Sequence, residues 1–222
     1  MNPDSEQRGA VILAGGLSSR FGANKALQTL AGKPLICHLV ERVSRVASSV
    51  VVVLGRGEAR TPYDTILPRH ARVVNDDLEG KNPLIGMATG LGAIESEYVA
   101  ILACDVPLAS SEVIDLLFRR AMKGDAAIPR WNERRIEPLH AVYRRAPTLR
   151  AALETLTPSD LSIEDMIKKL GRVIYVSVED EIAEIDRDLT TFFNINTRED
   201  LARAERILAQ QTRSLKESNQ RQ

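Results

Sequence analysis

The residues best placed to do chemistry lie in a glycine-rich segment close to the amino terminus. The segment reads L-A-G-G-L-S-S-R-F-G-A-N-K from Leu13 to Lys25 and continues an apolar run. Gly15 and Gly16 allow the backbone to approach a ligand and to turn its N–H groups toward it. Arg20 and Lys25 add a bidentate cation and a point charge, both suited to phosphate. The spacing matches neither a Walker A loop nor G-x-G-x-x-G. The segment therefore predicts a phosphate-binding loop of another kind. The alternative is a glycine-rich turn with two solvated cations.

A carboxylate closes an apolar run near the middle of the chain. The run Tyr98–Cys104 ends at Asp105, which Val-Pro follows. A carboxylate at the end of a buried strand is costly unless it is neutralised, and a metal ion would neutralise it. Mg²⁺ takes one or two carboxylates and completes its octahedron with phosphate and water. Asp105 is therefore a candidate Mg²⁺ ligand, with an aspartate that caps the next helix as the alternative.

Two adjacent aspartates follow another apolar run. Asp76 and Asp77 open the segment D-D-L-E-G-K-N-P-L-I-G, which ends at Gly86. We expect a ligand-binding loop before a helix, and either aspartate fits the binding role. Asn82 precedes the Pro-Leu pair, and asparagine tolerates a positive φ better than most residues.

Further polar residues lie in the second half of the chain. Phe192–Asn196 is strand-like, and strand alternation would put Asn194 and Asn196 on one face. Two amides at a strand end could bind metal-bound water or phosphate, although such residues more often form turns. His140 lies in another strand-like run, where a single histidine is more often simply hydrogen-bonded.

The elements that must position these residues form a βα pattern. Short β-branched runs are apolar on consecutive residues, as in strands buried on both faces of a parallel sheet. These runs are Ala10–Ala14, Val50–Leu54, Arg72–Asn75 and Tyr98–Cys104. Helical patterns separate them, which predicts a doubly wound α/β sheet with ligands at the carboxyl ends of its strands. Asp125–Arg130 and Pro138–Arg144 flank a polar turn and predict an antiparallel excursion in the carboxyl-terminal half.

Length and patterning indicate one domain. We assign residues 10–209 to it, with a disordered segment 1–9 and a polar tail 210–222 at its ends. Thr197 and Asp200 have capping-box spacing and predict the start of a final helix.

Composition excludes several classes of function. Thirty basic and thirty acidic residues cancel, and aromatic residues make up 4% of the chain, so neither a nucleic-acid surface nor a membrane surface is indicated. Cys37 and Cys104 lie in apolar runs and are expected to be reduced, packed thiols. No signal peptide or membrane span is visible, which predicts a cytoplasmic protein. No spacing suggests a serine triad, a cysteine nucleophile or a zinc site.

The first motif resembles the signature of the MobA-like nucleotidyltransferases. The string L-A-G-G-x-S-x-R-x-G-x-x-K implies their Rossmann-like, glycosyltransferase-A type fold, mostly parallel with helices on both faces. It also implies that the loop backbone holds the triphosphate and base, while Arg20 and Lys25 offset phosphate charge. The residues that take these nucleotide-binding roles by resemblance are Leu13, Ala14, Gly15, Gly16 and Lys25. A Gly-Gly pair at this point is typical of members that use GTP.

The other motifs carry the same resemblance. C-D-V-P is similar to the family's metal-binding segment, which implies Mg²⁺ on Asp105, although valine replaces a common methionine. N-P-L-x-G resembles G-P-L-x-G and implies that Asp76 or Asp77 contacts guanine or ribose. The N-x-N-T at Asn194 and Asn196 is similar to the end of the family's catalytic domain, and relatives meet a pterin near His140.

The resemblance implies transfer of GMP from Mg·GTP to the terminal phosphate of molybdopterin or Mo-molybdopterin. Products would be the guanine dinucleotide cofactor and pyrophosphate, and proteins that supply or receive the cofactor would be partners. The alternatives are a related enzyme that uses CTP, a cobinamide phosphate or a sugar phosphate, and a non-catalytic GTP-binding adaptor that delivers cofactor.

Overall fold

An open, mixed sheet forms the centre of the computed structural model, which describes residues 7–15, 24–76, 82–156 and 162–219, with side chains through residue 213. The strands are β1 (Arg8–Leu13), β2 (Thr29–Leu30), β3 (Lys33–Pro34), β4 (Ser49–Leu54), β5 (Ala71–Asn75), β6 (Tyr98–Ala103), β7 (Ala126–Asn132), β8 (Arg135–Ile136), β9 (His140–Arg144) and β10 (Val173–Ser177). The α-helices are α1 (Leu35–Val43), α2 (Thr61–Ile66), α3 (Pro83–Ala93), α4 (Ser111–Ala121), α5 (Arg145–Thr155), α6 (Ile163–Lys168), α7 (Ala183–Ile185) and α8 (Arg198–Asn219). Short 3₁₀ turns cover Lys25–Leu27 and Thr190–Phe192, and a π-helical turn covers Val178–Ile182.

The strand order places β1 at the heart of the sheet. The order is β10-β7-β9-β6-β1-β4-β5, with β8 paired to β7, while β2 and β3 form a separate small ribbon. β1 pairs in parallel with both β4 and β6, and β5 and β10 also join in parallel. β9 runs antiparallel to β6 and β7. The predicted fold class, including the antiparallel excursion in the second half, is confirmed.

Helices cover both faces of the sheet, and this explains the consecutive apolar residues of β1. Ala10 and Ile12 point into one core with α1 and α4, whereas Val11 points into the other with α3 and α5. A strand with one solvated face would alternate apolar and polar residues instead. Among the described residues, no helix is both long enough and apolar enough to cross a bilayer.

The amino-terminal boundary differs from the expectation. β1 begins at Arg8, inside the segment 1–9 that the sequence marks as disordered. The Arg8 guanidinium bonds to Asp115 at 2.7 Å and lies over the Phe118 ring. Gly9 pairs with both neighbouring strands, and Ile94 and Ser96 leave no room for a β-carbon there. Polarity suggested a frayed end, but tertiary contacts order these residues.

The carboxyl-terminal boundary also differs, since α8 continues to Asn219 through most of the predicted tail. The predicted start is confirmed: the Asp200 N–H donates to Thr197 Oγ1, and the Thr197 N–H donates back to the Asp200 carboxylate. The helix is rich in Ala, Arg, Glu, Leu and Gln and contains neither glycine nor proline. High helix propensity with a solvated face explains why a polar segment is helical rather than frayed.

The prediction of a strand over Phe192–Asn196 is wrong. Phe192 ends a 3₁₀ turn that the Asp186 carboxylate holds by accepting from the Thr191 N–H at 2.7 Å. β6 already has β1 and β9 as neighbours, and the described backbone bond from this segment to the residues after β6 runs from the Ile195 N–H to the Asp105 carbonyl at 2.9 Å.

Candidate functional site

The carboxyl ends of four parallel strands meet at one edge of the sheet. The register aligns Leu13 of β1 with Val53 of β4 and with Ala103 of β6. The segments that carry the sequence-predicted residues leave the sheet at this edge, and Asp76 and Asp105 lie directly beyond β5 and β6. This is where open α/β sheets bind their ligands.

The charged centre of this edge is Lys25, which begins the 3₁₀ turn after β1. Its ammonium donates to Asp105 Oδ2 at 3.0 Å and to Asn196 Oδ1 at 2.8 Å. The side chains of Lys25 and Asp105 are only 13% and 23% exposed, so water screens their ion pair less than it screens a surface pair. Asp105 and Asn196 are 80 and 171 positions from Lys25 in the sequence, and the fold brings the three residues together.

Asp105 fits the role of a metal ligand. Its Oδ1 is buried and has no hydrogen-bond partner among the described residues, although a buried carboxylate oxygen normally has one. Over the same residues, no group of three or more His, Cys, Asp and Glu side chains comes together. The protein would thus provide a single carboxylate here. That is the donor set Mg²⁺ accepts when substrate phosphates and water supply its remaining ligands.

Gly15 has a different role from the one its motif suggested. Its N–H and that of Ala14 both donate to the Val53 carbonyl, at 3.0 and 2.8 Å, so neither N–H points toward a ligand. A β-carbon on Gly15 would lie 2.3 Å from the Gly55 nitrogen and 2.8 Å from the Leu54 carbonyl carbon. Gly15 therefore allows the loops after β1 and β4 to touch. Gly16 and Arg20 lie outside the described residues.

Asp76 reaches the same edge from β5. Its N–H donates to the Leu54 carbonyl at 2.9 Å, and its Oδ2 lies 3.8 Å from the place where a β-carbon of Gly86 would sit. Asp77 lies outside the described residues, so the choice between the two aspartates stays open, while the position of Asp76 suits a ligand contact.

Asn82 does not need the positive φ that its replacement of glycine suggested. Its φ is −103°, and its side-chain oxygen accepts from the Leu84 N–H at 2.9 Å. Asn82 is thus the N-cap of α3, and Pro83 follows at the first helical position.

The sequence reasoning missed the loop after β4. Asn75 Nδ2 donates to the carbonyls of Gly55 and Glu58, at 3.1 and 2.9 Å, and Asn24 Nδ2 donates to the Glu58 carboxylate at 3.1 Å. Gly57 in this loop has φ +75°, which only glycine adopts readily. The G-R-G-E string directly after a buried strand was the available signal.

His140 and Asn194 form hydrogen bonds with other partners than the Lys25 ammonium. His140 is buried, with Nε2 3.1 Å from Thr191 Oγ1 and its ring edge-on to Phe192. Burial lowers the pKa of His140 to about 4, so its imidazole is neutral at physiological pH. Asn194 is exposed and donates to the Phe192 carbonyl at 3.3 Å.

Neither cysteine is suited to nucleophilic chemistry. Both are free thiols, as predicted. Burial, together with the neighbouring Asp105 charge, raises the pKa of the Cys104 thiol to about 12, and burial also raises that of Cys37. A thiol must ionise to act as a nucleophile, so the thiol at the edge of the site is structural.

Comparison with known proteins identifies the family and the enzyme class of the chain. Residues 10–173 match the MobA-like NTP transferase domain. The chain belongs to the MobA-like NTP transferase family. It is a nucleotidyltransferase, and the predicted family and enzyme class are confirmed.

Similar proteins of other organisms support this assignment. A protein of Methanosarcina mazei named probable molybdenum cofactor guanylyltransferase is 38% identical over 201 residues, which cover 87% of this chain and 88% of that protein. A molybdenum cofactor guanylyltransferase of Desulfosudis oleivorans is 36% identical over 197 residues, covering 88% and 93% of the two chains.

Solved structures show the same fold. Molybdopterin-guanine dinucleotide biosynthesis protein A of Archaeoglobus fulgidus superposes with a TM-score of 0.74 at 28% identity, covering 91% of this chain and 99% of that one. The 4-diphosphocytidyl-2C-methyl-D-erythritol synthase of Anaerococcus prevotii has a TM-score of 0.69 at 16% identity, with coverage of 93% and 97%. The second likeness concerns the fold alone. This nucleotidyltransferase architecture therefore does not by itself select the base or the acceptor.

Proposed function

We propose that this nucleotidyltransferase transfers GMP from Mg·GTP to the terminal phosphate of molybdopterin or of its molybdenum-loaded form. The guanine dinucleotide cofactor and pyrophosphate are the products. The observation that carries the proposal is the convergence of Lys25, Asp105 and Asn196 at the carboxyl edge of the sheet. The names of the relatives at 36 and 38% identity support the choice of guanine and of the molybdenum cofactor.

The reaction needs no nucleophilic side chain. An oxygen of the acceptor phosphate is already ionised, so it attacks the α-phosphorus of GTP without a general base. A new P–O bond forms there, the bond from the α-phosphorus to the bridging oxygen breaks, and pyrophosphate leaves with the electron pair. Catalysis then consists of positioning and charge neutralisation. The Lys25 ammonium and a carboxylate with one unpartnered oxygen suit that task, and no reactive thiol is required.

Each residue of the centre has a distinct role in this proposal. Asp105 would hold Mg²⁺ through its unpartnered Oδ1, and the bound ion would offset negative charge on the phosphate oxygens. Lys25 would offset charge on the α-phosphate and on the leaving group. Asn196 is a positioning residue, because its amide oxygen accepts from the Lys25 ammonium at 2.8 Å beside the bond to Asp105 Oδ2.

The remaining predicted contacts stay predictions. Asp76 or Asp77 is assigned to guanine or ribose, and Arg20 to phosphate. Gly16 removes a side chain where the purine needs room. Proteins that supply or receive the cofactor, and a cytoplasmic location, are expected on the same basis.

A nucleotide panel tests the first half of the proposal. Unfolding would be followed with GTP, CTP, ATP and UTP, each with and without Mg²⁺. A ligand at a hundred times its Kd stabilises the native state by about 2.7 kcal/mol, which a thermal shift resolves. A Mg²⁺-dependent shift with GTP alone supports the proposal. A shift with CTP or UTP instead would identify that nucleotide as the donor and overturn the choice of GTP.

A pair of aspartate variants tests the chemistry. Asp105→Asn keeps the size of the side chain and removes its charge, so pyrophosphate release on addition of molybdopterin should fall by at least ~10³-fold while the protein stays folded. Asp115→Asn is the matched control. It removes the charge of another paired aspartate, whose carboxylate lies 2.7 Å from the Arg8 guanidinium and has Arg8 rather than Lys25 as its partner. Normal turnover by Asp105→Asn with Mg²⁺ would refute the metal assignment.

A further inference from the structure

The loop after β4 contacts the residue that precedes Lys25. This loop has the sequence G-R-G-E (residues 55–58), and Glu58 Oε2 accepts from Asn24 Nδ2 at 3.1 Å. The two residues are 34 positions apart in the sequence, and both are half-buried. Water therefore screens this contact less than it screens a contact on the open surface. The contact bears on the site because Asn24 is the direct neighbour of its central cation.

Asn24 uses both ends of its side-chain amide. The oxygen Oδ1 accepts from the Ala26 N–H at 3.1 Å and caps the 3₁₀ turn that begins at Lys25, while Nδ2 donates to Glu58. Ala26 is fully buried in the core that also contains residues of α1 and α4. The backbone of Lys25 thus lies between two anchors, the capped Asn24 on one side and the buried Ala26 on the other.

The loop that carries Glu58 is itself tied to the sheet. Asn75, the last residue of β5, donates through Nδ2 to the carbonyls of Gly55 and Glu58, at 3.1 and 2.9 Å. The φ of +75° at Gly57 allows the chain to turn between these two carbonyls. One side chain therefore closes the loop, and Glu58 extends from this support to Asn24.

The backbone of Lys25 needs such an anchor because its side chain is a flexible stem with a point charge at its end. The ammonium end is held by Asp105 Oδ2 and Asn196 Oδ1, at 3.0 and 2.8 Å. The backbone end is held through Asn24 and Glu58. A misplacement of about 1 Å can lower a rate about a hundredfold, so the backbone anchor matters for a cation that must face a phosphate.

We propose that Glu58 is a positioning residue for nucleotidyl transfer, which acts through Asn24 on the place of the Lys25 ammonium. The assignment rests on the proposed function for the substrates and for the role of Lys25. It adds a carboxylate that touches neither substrate nor metal, and it gives the loop after β4 a part in the reaction.

An exchange of the two side-chain groups tests the contact. Asn24→Asp keeps the cap, because aspartate is as good an N-cap as asparagine, but it replaces the donor with a second carboxylate that faces Glu58. The kcat of pyrophosphate release from GTP and molybdopterin should fall about ten- to a hundredfold, with the KM of the acceptor within about twofold of wild type. In Asn24→Asp/Glu58→Gln the glutamine amide donates to the aspartate, so kcat should return to within about threefold of wild type.

Two further variants separate the hydrogen bond from charge and from stability. Asn24→Asp/Glu58→Ala has the net charge of wild type but lacks the hydrogen bond, so its kcat should stay as low as that of Asn24→Asp. Asn132→Asp is the matched control, since the Asn132 oxygen also holds a turn, by accepting from the N–H groups of Arg134 and Arg135 at 2.9 and 3.1 Å. Its kcat should stay at the wild-type value. All rates are measured where circular dichroism shows a folded protein, so a contact that serves stability alone would leave kcat unchanged.

A spectroscopic readout follows the Lys25 ammonium without any substrate. An ammonium held by two hydrogen bonds exchanges its protons with water more slowly than a solvated one, so Lys25 should give a ¹H–¹⁵N side-chain signal. Loss of that signal in Lys25→Arg assigns it. The signal should shift or broaden in Asn24→Asp and return to its wild-type position in Asn24→Asp/Glu58→Gln.

The two proposals fail in different ways. If the wild type transfers GMP to molybdopterin and Asn24→Asp does so with the same kcat, or if Asn24→Asp/Glu58→Gln is as slow as Asn24→Asp, the role of Glu58 is overturned and the function stands. If the wild type transfers no GMP while the Lys25 signal is lost and restored as expected, the proposed function is overturned and the positioning of Lys25 by Glu58 is supported.

Discussion

Substitution of Gly15 by alanine separates two explanations for the glycine pair of the first motif. If the glycine serves only a ligand, the apo protein should tolerate alanine. The structure instead places the new β-carbon 2.3 Å from the Gly55 nitrogen, a backbone atom that no side-chain rotation can move. Gly15 is not among the glycines with positive φ, so the effect comes from the contact and not from backbone strain.

The size of the effect follows from that distance. Contacts of a β-carbon below about 3.0 Å essentially do not occur, so the loops after β1 and β4 must separate by roughly 0.7 Å or more. The N–H groups of Ala14 and Gly15 share the Val53 carbonyl across this junction at 2.8 and 3.0 Å, and the separation weakens both bonds. Overpacking costs about 1–3 kcal/mol, and a weakened hydrogen bond about 1 kcal/mol. We expect a loss of roughly 3 kcal/mol, or a Tm lowered by about 6–12 °C in a chain of this size.

The assay is urea unfolding of the apo protein, with Gly92→Ala as the matched control. Gly92 lies in α3, and no atom lies within 4 Å of the position that a β-carbon would take there, so alanine should stabilise the protein by about 0.5–1 kcal/mol. Opposite signs for the two glycine-to-alanine changes support the reasoning. Unchanged apo stability in Gly15→Ala, with only nucleotide affinity lost, would refute it and restore the ligand explanation.

Three further predictions concern single side chains. Burial lowers the pKa of His140 to about 4, so between pH 4 and about 6.5 the unfolded chain binds the proton and the native protein does not. The free energy of unfolding should therefore decrease as the pH is lowered, by about 3 kcal/mol at pH 4. The unfolding of His140→Gln, measured over the same pH range, should lack this loss. Asn82→Ala removes the N-cap of α3 and should lower the free energy of unfolding by about 1 kcal/mol, whereas Asn82→Gly should cost only a few tenths, and equal losses would contradict the capping role. Asn196→Ala removes one acceptor of the Lys25 ammonium and should weaken GTP binding about tenfold in a titration, with Asn196→Asp retaining affinity; equal affinities of wild type and Asn196→Ala would rule out the positioning role.

The sequence alone determined the strands and the side chains that end them. Consecutive β-branched residues predict β1, β4, β5 and β6 because a strand buried on both faces leaves no position for a polar residue. Asp105 was found as a candidate ligand because a carboxylate at the end of such a strand needs a partner, and its buried Oδ1 has none among the described residues. Local capping chemistry at Thr197 and Asp200 was equally readable, since these bonds span only three residues.

Only the tertiary structure decided which distant groups meet. The pairing of Lys25 with Asn196 joins positions 171 residues apart, and no local pattern encodes it. Phe192–Asn196 has the residues of a strand, but both edges of β6 are already paired, so after the 3₁₀ turn that ends at Phe192 the segment continues without joining the sheet. The contact of the Arg203 guanidinium with the Phe193 ring, 5.1 Å from its centre, arises in the same way, because α8 and the segment after the second 3₁₀ turn meet only in the folded chain. Contacts between neighbouring residues can be predicted from the local sequence. The meeting of distant side chains depends on the order of the strands in the sheet, and that order is set by the packing of the whole chain.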